Sequence, residues 1–193
     1  MLITNFSPFP ILNSDRLQLR QITNGDLDEV FELRNDPETM KFIPRPLAKT
    51  KQDALHLITM ITEKINANSD INWAITLQSN SKLIGIIGHY KIKHENYRSE
   101  IGYILNPKFH NKGIITDAIQ LILEYGFTVL QLHSIEAIID PNNFASEKVL
   151  QKNRFVKEAH LIENEFFNGK FIDTVIYSLL KKNYITQNKS YLP

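Results

Sequence analysis

Residues 106–118, NPKFHNKGIITDA, lie between a strand-like run and a helix-like run and contain one glycine, Gly113. The preceding run, residues 99–105 (SEIGYIL), has the character of a strand. The following run has apolar residues at near-helical spacing, namely Ile115, Ile119, Ile122 and Phe127. A strand that passes through a tight turn into a helix directs several backbone N–H groups, and the positive end of the helix dipole, at one place. The segment therefore predicts an anion-binding site.

Length and composition narrow the class of protein. A chain of 193 residues with 42% hydrophobic residues can bury one substantial core, so we expect a single domain over residues 1–193. The balance of 22 Lys+Arg against 21 Asp+Glu gives no reason to expect nucleic acid as a partner. The absence of cysteine excludes disulfides, thiolate metal sites and a cysteine nucleophile within the chain. Catalysis would therefore use Ser, His, Tyr, Asp or Glu.

The N-terminal sequence, MLITNFSPFPILNSD, lacks the basic start and the continuous apolar segment of a signal peptide. No later apolar run approaches membrane-spanning length. We therefore expect a cytoplasmic protein without a membrane partner.

The first third of the chain predicts one strand followed by two helices. Residues 16–22 (RLQLRQI) alternate between apolar and polar side chains, which indicates a strand with one solvent-facing side. Helix starts are indicated where Thr precedes Asp by three residues, at Thr23 and at Thr50. The first helix should stop before Pro37. One stripe of that helix is apolar except at its C-terminal end, and it consists of Leu27, Val30, Phe31 and Arg34.

The rest of the chain predicts mainly strands. Residues 72–77 and 82–92 indicate a hairpin, in which glycines suggest a bulge or a close approach of backbones. Residues 134–140 indicate a strand and residues 145–152 a helix. Asn168-Gly169, between two alternating runs, is typical of a tight hairpin turn. The polar tail from Tyr184 onward is expected to fray.

The element order β-α-α-β-β-β-α-β-α-β-β, together with the glycine-centred turn, resembles the GNAT acyl-CoA N-acetyltransferase superfamily. Within it the chain looks most like the ribosomal-protein N-acetyltransferase (RimJ/RimL-like) branch. The motifs that carry the resemblance are SDRLQLRQIT, NDPETMKFI, EIGYILNP, KGIITDA, NNFASEKVLQKNRF and FIDTVIYSLLKK. The resemblance implies an α/β (α+β) fold with a mixed, mostly antiparallel central sheet flanked by helices. It also implies that two central strands, residues 99–105 and 134–140, splay apart.

The family's pyrophosphate loop, Gln/Arg-x-x-Gly-x-Gly/Ala, falls on residues 110–115. The resemblance implies that this loop and its neighbours bind the cofactor, through His110, Asn111, Lys112, Gly113, Ile114, Ile115 and Thr116. Gly113 matches the pattern, whereas His110 replaces Gln or Arg and Ile115 replaces a small residue. The branched side chain of Ile115 could crowd the phosphates. A non-catalytic acyl-CoA-binding or degenerate module therefore remains an alternative. Thr116 could bond a phosphate or simply cap the helix.

Further cofactor contacts are implied at the next helix and along the splayed strand. Asn143 and Ser146 match an Asn-x-x-Ser pattern in which the amide holds the pantetheine arm and the hydroxyl lies near the sulfur. Ser146 is thus a candidate catalytic residue that would donate a proton to the departing thiolate. Capping of the helix is the alternative role for both residues. The backbone of the splayed strand would bind pantetheine at Tyr103, Ile104 and Leu105, and the Tyr103 ring either lines the acyl site or belongs to the core.

The resemblance implies that Glu100 is the candidate general base, acting through a water molecule. Strand alternation places it on the same face as Gly102 and Ile104. The alternative is a solvent-facing carboxylate or one paired with Arg98. Weaker candidates are His89, Tyr90, His94 and Asp173.

The resemblance implies an acetyl-CoA-dependent N-acetyltransferase with acetyl-CoA as co-substrate and no metal. Direct transfer is expected, because no cysteine is present to carry an acyl intermediate. The acceptor would be a primary amine, either a protein N-terminal α-amine or a small-molecule amine. A monomer or a homodimer is expected.

Overall fold

Eight strands and six α-helices form the regular structure of residues 2 and 4–188, the part of the chain that the computed structural model describes. The strands are β1 (Leu12–Asn13), β2 (Leu17–Gln21), β3 (Ile71–Leu77), β4 (Asn80–Lys93), β5 (Arg98–Leu105), β6 (Ser134–Ile139), β7 (Val156–Phe167) and β8 (Lys170–Leu180). The helices are α1 (Leu27–Asn35), α2 (Pro37–Met40), α3 (Lys51–Asn66), α4 (Ile114–Glu124), α5 (Phe144–Lys152) and α6 (Lys181–Asn188).

All eight strands belong to one sheet with the order β1-β2-β3-β4-β5-β6-β8-β7. Every neighbouring pair is antiparallel except β5 with β6, which run parallel. The predicted fold class, a mixed and mostly antiparallel sheet flanked by helices, is therefore confirmed. The parallel pair lies in the middle of the sheet, between its two antiparallel halves.

Local sequence signals set the ends of the helices. Thr23 and Thr50 each form a capping box with the Asp three residues later, as predicted, and these boxes precede α1 and α3. The final hairpin turns through Asn168 (φ 50°) and Gly169 (φ 83°), the positive values that a tight turn of this kind requires. In β4 the predicted close approach is present, since a methyl group on Gly85 would lie 2.5 Å from the carbonyl oxygen of Ile104.

Three differences from the sequence expectations arise. The two-residue strand β1 and the short helix α2 were not predicted. Helix α2 forms because Asp36, which follows the end of α1, accepts a hydrogen bond from Thr39 N at 2.9 Å and so caps a new helix that begins with Pro37. The tail was expected to fray from Tyr184, but this residue lies in α6 and its ring is 5.0 Å from that of Phe127. Residues 189–193 of the predicted tail lie outside the described residues.

The two faces of the sheet differ in their neighbours. On one face, His89 of β4 contacts α4 through a hydrogen bond between Nε2 and Ile122 O at 2.9 Å. Tyr90, the next residue, points to the opposite face, where the charge of Arg34 from α1 is close enough to affect it. Within the described residues, no helix combines the length and the apolar character needed to cross a membrane.

Candidate active site

A gap opens in the centre of the sheet between β5 and β6. Their parallel pairing is confined to residues 98–100 of β5 and 134–136 of β6. Beyond Glu100, β5 pairs only with β4, and beyond Glu136, β6 pairs only with β8. The predicted splay is thus confirmed. It leaves the backbone groups on the β6 side of residues 101–105 without a strand partner.

The glycine-centred loop lies at the C-terminal end of β5. Asn111 (φ 59°) and Gly113 (φ 75°) both adopt left-handed backbone conformations, and Gly113 is the N-cap of α4. Among the described residues, none accepts a hydrogen bond from the backbone N–H groups of residues 111–116. These consecutive donors, at the positive end of an α-helix, form a surface suited to a phosphate.

Side chains of the loop hold its own backbone. His110 Nε2 donates to the carbonyl oxygen of Leu105 at 3.1 Å, which occupies one of the acceptors predicted for pantetheine. Lys112 Nζ donates to the carbonyl oxygen of Lys108 at 2.9 Å and lies over the Phe109 ring. His110 thus replaces the expected Gln or Arg with a side chain that ties the loop to the end of β5.

The side chains that begin α4 point largely into the protein. Ile114 is buried and Ile115 is half-buried against the hydrophobic core. Thr116 is also buried. All three therefore present mainly their backbone N–H groups to the loop surface.

Sequence reasoning missed Arg16, whose side chain binds the backbone of the loop. Its guanidinium donates to Asp117 Oδ2 at 2.5 Å and to Lys112 O at 3.1 Å. It also lies 3.4 Å from the position that a β-carbon on Gly113 would occupy. By sequence, Arg16 is only a polar residue of an alternating strand. No spacing rule connects it with Asp117, which lies 101 residues further along the chain.

Two hydroxyl groups meet on the α4 side of the gap. Tyr103 projects from β5, and its buried Oη has no hydrogen-bond partner among the described residues. Burial raises the pKa of Tyr103 to about 12, and the nearby hydroxyl of Ser146 from α5 acts in the opposite direction. The two groups are neighbours, although their geometry falls short of a hydrogen bond.

Asn143 caps α5, as one of its two predicted roles requires. Its Oδ1 accepts a hydrogen bond from Ser146 N at 3.0 Å. The Nδ2 group of Asn143 has no partner among the described residues and remains available as a donor. Capping and pantetheine binding are therefore compatible for this side chain.

Glu100 lies on the opposite face of β5 from Tyr103, since the two residues are an odd number of positions apart along the strand. It is paired in register with Tyr90 of β4 and with Glu136 of β6, at the last paired position before the gap. Its carboxylate, 18% exposed, accepts from Lys91 Nζ at 2.8 Å. The expected alternative partner, Arg98, instead pairs with Glu136 at 2.7 Å.

The two weaker histidine candidates, His89 and His94, both contact other protein groups. His89 is fully buried and its ring nitrogens contact Ser99 Oγ at 2.8 Å and Ile122 O at 2.9 Å. Burial lowers the pKa of His89 to about 4, so this ring is a neutral core residue. His94 contacts Thr4 at 2.9 Å, near the N-terminus.

Asp173 lies away from the gap, on the outer hairpin. Its carboxylate accepts a hydrogen bond from Glu163 N at 2.9 Å and contacts His160 Nε2 at 2.8 Å. Both contacts lower the pKa of Asp173, and the bond from Glu163 has the larger effect. Among the residues that the structure covers, no group of three or more His, Asp or Glu side chains is placed to bind a metal ion.

Known proteins share this architecture and sequence pattern. The acetyltransferase (GNAT) domain family matches residues 16–156. The uncharacterized N-acetyltransferase YoaA of Bacillus subtilis is 32% identical over 173 residues, which span 90% of this chain and 98% of that protein. The putative ribosomal N-acetyltransferase YdaF of Bacillus subtilis is 32% identical over 102 residues, 53% of this chain and 56% of that protein.

A solved structure of a related enzyme contains the cofactor. Spermidine N-acetyltransferase from Vibrio cholerae, in complex with CoA and spermine, superposes with a TM-score of 0.79 at 26% identity. The match covers 89% of this chain and 99% of that one. These similarities favour an enzyme over a non-catalytic module, and they agree with the predicted branch. The chain therefore belongs to the GNAT acetyltransferase family and is an N-acetyltransferase.

Proposed function

We propose that this enzyme transfers the acetyl group of acetyl-CoA directly to a primary amine in the gap between β5 and β6. The observation that carries the proposal is the position of this gap. The gap begins beside the carboxylate of Glu100 on one face of the sheet and beside the hydroxyls of Tyr103 and Ser146 on the other. From there, β5 leads to the loop at the N-terminus of α4. The attacking amine and the departing sulfur of one thioester could therefore each interact with protein groups, from opposite faces of the sheet.

The residues present fit acetyl-CoA. The N–H groups of residues 111–116, which have no acceptor in the part of the chain that the structure describes, can donate to the diphosphate. The backbone of Tyr103 and Ile104 beside the gap can bind the pantetheine amides. The orphaned hydroxyl of Tyr103 indicates a missing polar partner, because buried polar groups are normally hydrogen-bonded. Acetyl-CoA, when bound, supplies the thioester that the amine attacks.

Tyr103 and Ser146 would stabilise the negative charge that develops on the departing sulfur. A thiol ordinarily has a pKa of about 8.5, so full proton transfer from a tyrosine with a pKa of about 12 would cost about 5 kcal/mol. Tyr103 is therefore better suited to donating a hydrogen bond than to giving up its proton. Ser146, with its backbone N–H fixed by Asn143, places a second hydroxyl beside it.

Glu100 would accept the proton of the attacking amine through a water molecule. Its position on the other face of β5 separates this proton from the sulfur, so the base and the hydrogen-bond donors do not neutralise each other. Lys91 Nζ, at 2.8 Å, holds the carboxylate on this face of the sheet.

The free energy needed to deprotonate the attacking amine indicates which class of amine the enzyme accepts. With a pKa of about 10.4 for a lysine side chain and about 7.8 for an α-amine, deprotonation near pH 7 costs about 4.6 and about 1.1 kcal/mol respectively. A single carboxylate acting through water suits an α-amine, or a small amine of similarly low pKa, better than a lysine. The spermidine acetyltransferase among the relatives acts on another kind of small amine.

The proposal is tested by incubating the purified protein with acetyl-CoA and a panel of amines, and by following both thiol release and the acetylated product by mass spectrometry. We expect one product per thiol released and no acetylated form of the enzyme itself. Thiol release without any acetylated amine, or an acetyl-enzyme that transfers its group in a second step, would contradict direct transfer.

Removing either hydroxyl should slow turnover without weakening cofactor binding. We expect Tyr103→Phe and Ser146→Ala each to lower kcat by about 10-fold, because each removes one hydrogen bond that strengthens as charge develops on sulfur. The KM for acetyl-CoA should change by less than about 3-fold, since ground-state binding depends on the loop. Steady-state kinetics with acetyl-CoA as the varied substrate measures both quantities.

The double variant provides the control for this assignment. If both hydroxyls serve the same sulfur, their effects should be coupled, and the double variant should lose less than the product of the two single losses. Strictly multiplicative losses would show that the hydroxyls act independently. An unchanged kcat in both single variants would remove them from the mechanism.

A further inference from the structure

Arg34, the penultimate residue of helix α1, has no acidic partner among the described residues. Arg34 continues the apolar stripe of α1, and its side chain is half-buried rather than extended into solvent. Within the described residues, the arginines that form ion pairs with carboxylates are Arg16, Arg20 and Arg98. In the same part of the chain, Arg34 and Arg45 form no such pair. A half-buried, unpaired charge is costly, so its presence calls for an explanation.

The backbone holds Arg45 close to Arg34. The carbonyl oxygen of Arg34 accepts a hydrogen bond from Ala48 N at 2.9 Å, and Asn35 Nδ2 donates to Ala48 O at 2.8 Å. These bonds tie the segment that carries Arg45 to the end of α1. Burial, and then the charge of Arg45, lowers the pKa of Arg34. We refer to Arg34 and Arg45 as the arginine pair.

Tyr90 connects the arginine pair with the opening of the gap. Burial raises the pKa of Tyr90 to about 12, and the charges of both arginines act in the opposite direction. Tyr90 lies beside Glu100 in register, and its Cε2 is 3.0 Å from where a β-carbon on Gly102 would be. Gly102 lies two positions beyond Glu100, the last residue of β5 that pairs with β6, so the Tyr90 ring lies at the opening of the gap.

The acidic groups near Tyr90 are already paired with other cations. Glu100 pairs with Lys91 at 2.8 Å, and Asp70 pairs with Lys64 at 2.6 Å. The positive charge of the arginine pair is therefore not compensated by these carboxylates. An anion from outside the chain would compensate the positive charge of the arginine pair.

We propose that the acceptor is a small primary amine that also carries a carboxylate or phosphate group, and that the arginine pair binds this group. The inference rests on the proposed acetyl transfer and specifies its acceptor. The planar fork of a guanidinium matches both anions through two parallel hydrogen bonds. With its anion on the arginine pair, such a molecule presents its amine toward Glu100. A polyamine, which carries only positive charge, is repelled by the same residues.

Matched acceptors test the proposal. An amino acid is compared with its carboxamide, an aminoalkyl phosphate with the corresponding amino alcohol, and both pairs with spermidine. We expect kcat/KM, expressed per concentration of the neutral amine because the anion raises the pKa of the amine beside it, to be at least about 10-fold higher for the anionic member of one pair, since hydrogen bonds to charged groups are the strong ones. Which pair shows the preference distinguishes carboxylate from phosphate.

Variants of the arginine pair should remove this preference. Arg34→Gln is expected to raise KM for the anionic acceptor by about 10-fold and to leave the kinetics of its neutral counterpart within about 2-fold. Arg34→Lys, which keeps the charge and loses the fork, should be intermediate. Lys170→Gln, a loss of one positive charge at the exposed tip of the final hairpin, is the control and should keep the preference. If Arg34→Gln fails to fold, Arg45→Gln, at an exposed side chain, tests the same prediction.

The outcomes separate this inference from the proposed function. Efficient acetylation of the neutral amines or of spermidine, with no preference for their anionic counterparts, overturns the anionic acceptor and leaves acetyl transfer intact. If no amine is acetylated, the proposed function fails, and thermal unfolding of the CoA-saturated protein still decides the inference. Stabilisation by the amino acid or the aminoalkyl phosphate over its neutral counterpart supports an anion site at the arginine pair, and equal shifts reject it.

Discussion

Replacing Gly113 with valine is expected to weaken acetyl-CoA binding by about 30- to 150-fold, because a branched residue held at positive φ costs about 2–3 kcal/mol. Gly113 has φ 75° and caps α4 at the centre of the unpaired amides. In the free protein, the loop of the variant can relax to another shape. Binding must restore the strained conformation, so the cost appears in the dissociation constant. Titration calorimetry with acetyl-CoA measures it directly.

Gly169 provides a matched control for this substitution. It has φ 83° at the tip of the final hairpin, and among the described residues other than its chain neighbours no heavy atom lies within 4 Å of the position that a β-carbon would occupy. Gly169→Val should therefore suffer similar backbone strain and lower the stability of the protein, while acetyl-CoA affinity stays unchanged. Equal affinity for acetyl-CoA in wild type and Gly113→Val would show that the loop does not bind the diphosphate.

Replacing Glu100 with glutamine is expected to lower kcat by about 100- to 1000-fold for an α-amine acceptor, the usual range for loss of a general base. The amide keeps the size of the side chain and loses its basicity. The loss should shrink as pH rises above about 8, because an amine with a pKa of about 7.8 is then already neutral without help. A pH profile of kcat for the wild type and the variant measures both effects.

Glu136 is the appropriate comparison, since it lies opposite Glu100 in register and also belongs to an ion pair. Glu136→Gln removes one negative charge from the same row of the sheet without touching the proposed base. It should keep kcat within a few-fold of the wild type. If both variants lose activity equally and at every pH, the effect is one of local charge, and Glu100 is not the base.

Local signals in the sequence predicted most of the fold. Capping boxes at Thr23 and Thr50, the Asn168-Gly169 turn and the alternation of strand residues act over a few neighbouring residues, so they can be recognised without coordinates. The helix α2 escaped prediction because Asp36 both ends one helix and caps another. A pattern that stops one element does not reveal the start of the next.

The candidate site was predicted only in part. The loop around Gly113 and the pair Asn143 and Ser146 are contiguous motifs, and both occur where the sequence placed them. The contacts of His110 with Leu105, and of Arg16 with the loop, have no sequence signature. The sequence located the groups that could bind a cofactor, whereas their surroundings depended on packing.

By itself, the sequence determined the order and type of most elements, the glycine-centred turn before α4 and the family, because each of these is encoded in residues close together along the chain. Only the tertiary structure decided that Tyr103 lies beside Ser146 without a hydrogen bond and that Glu100 pairs with Lys91 rather than Arg98. It also decided that the arginine pair has no carboxylate partner among the described residues. These relations join side chains from separate elements. Their distances and charges are fixed by the way the helices pack on the sheet, which no local pattern specifies.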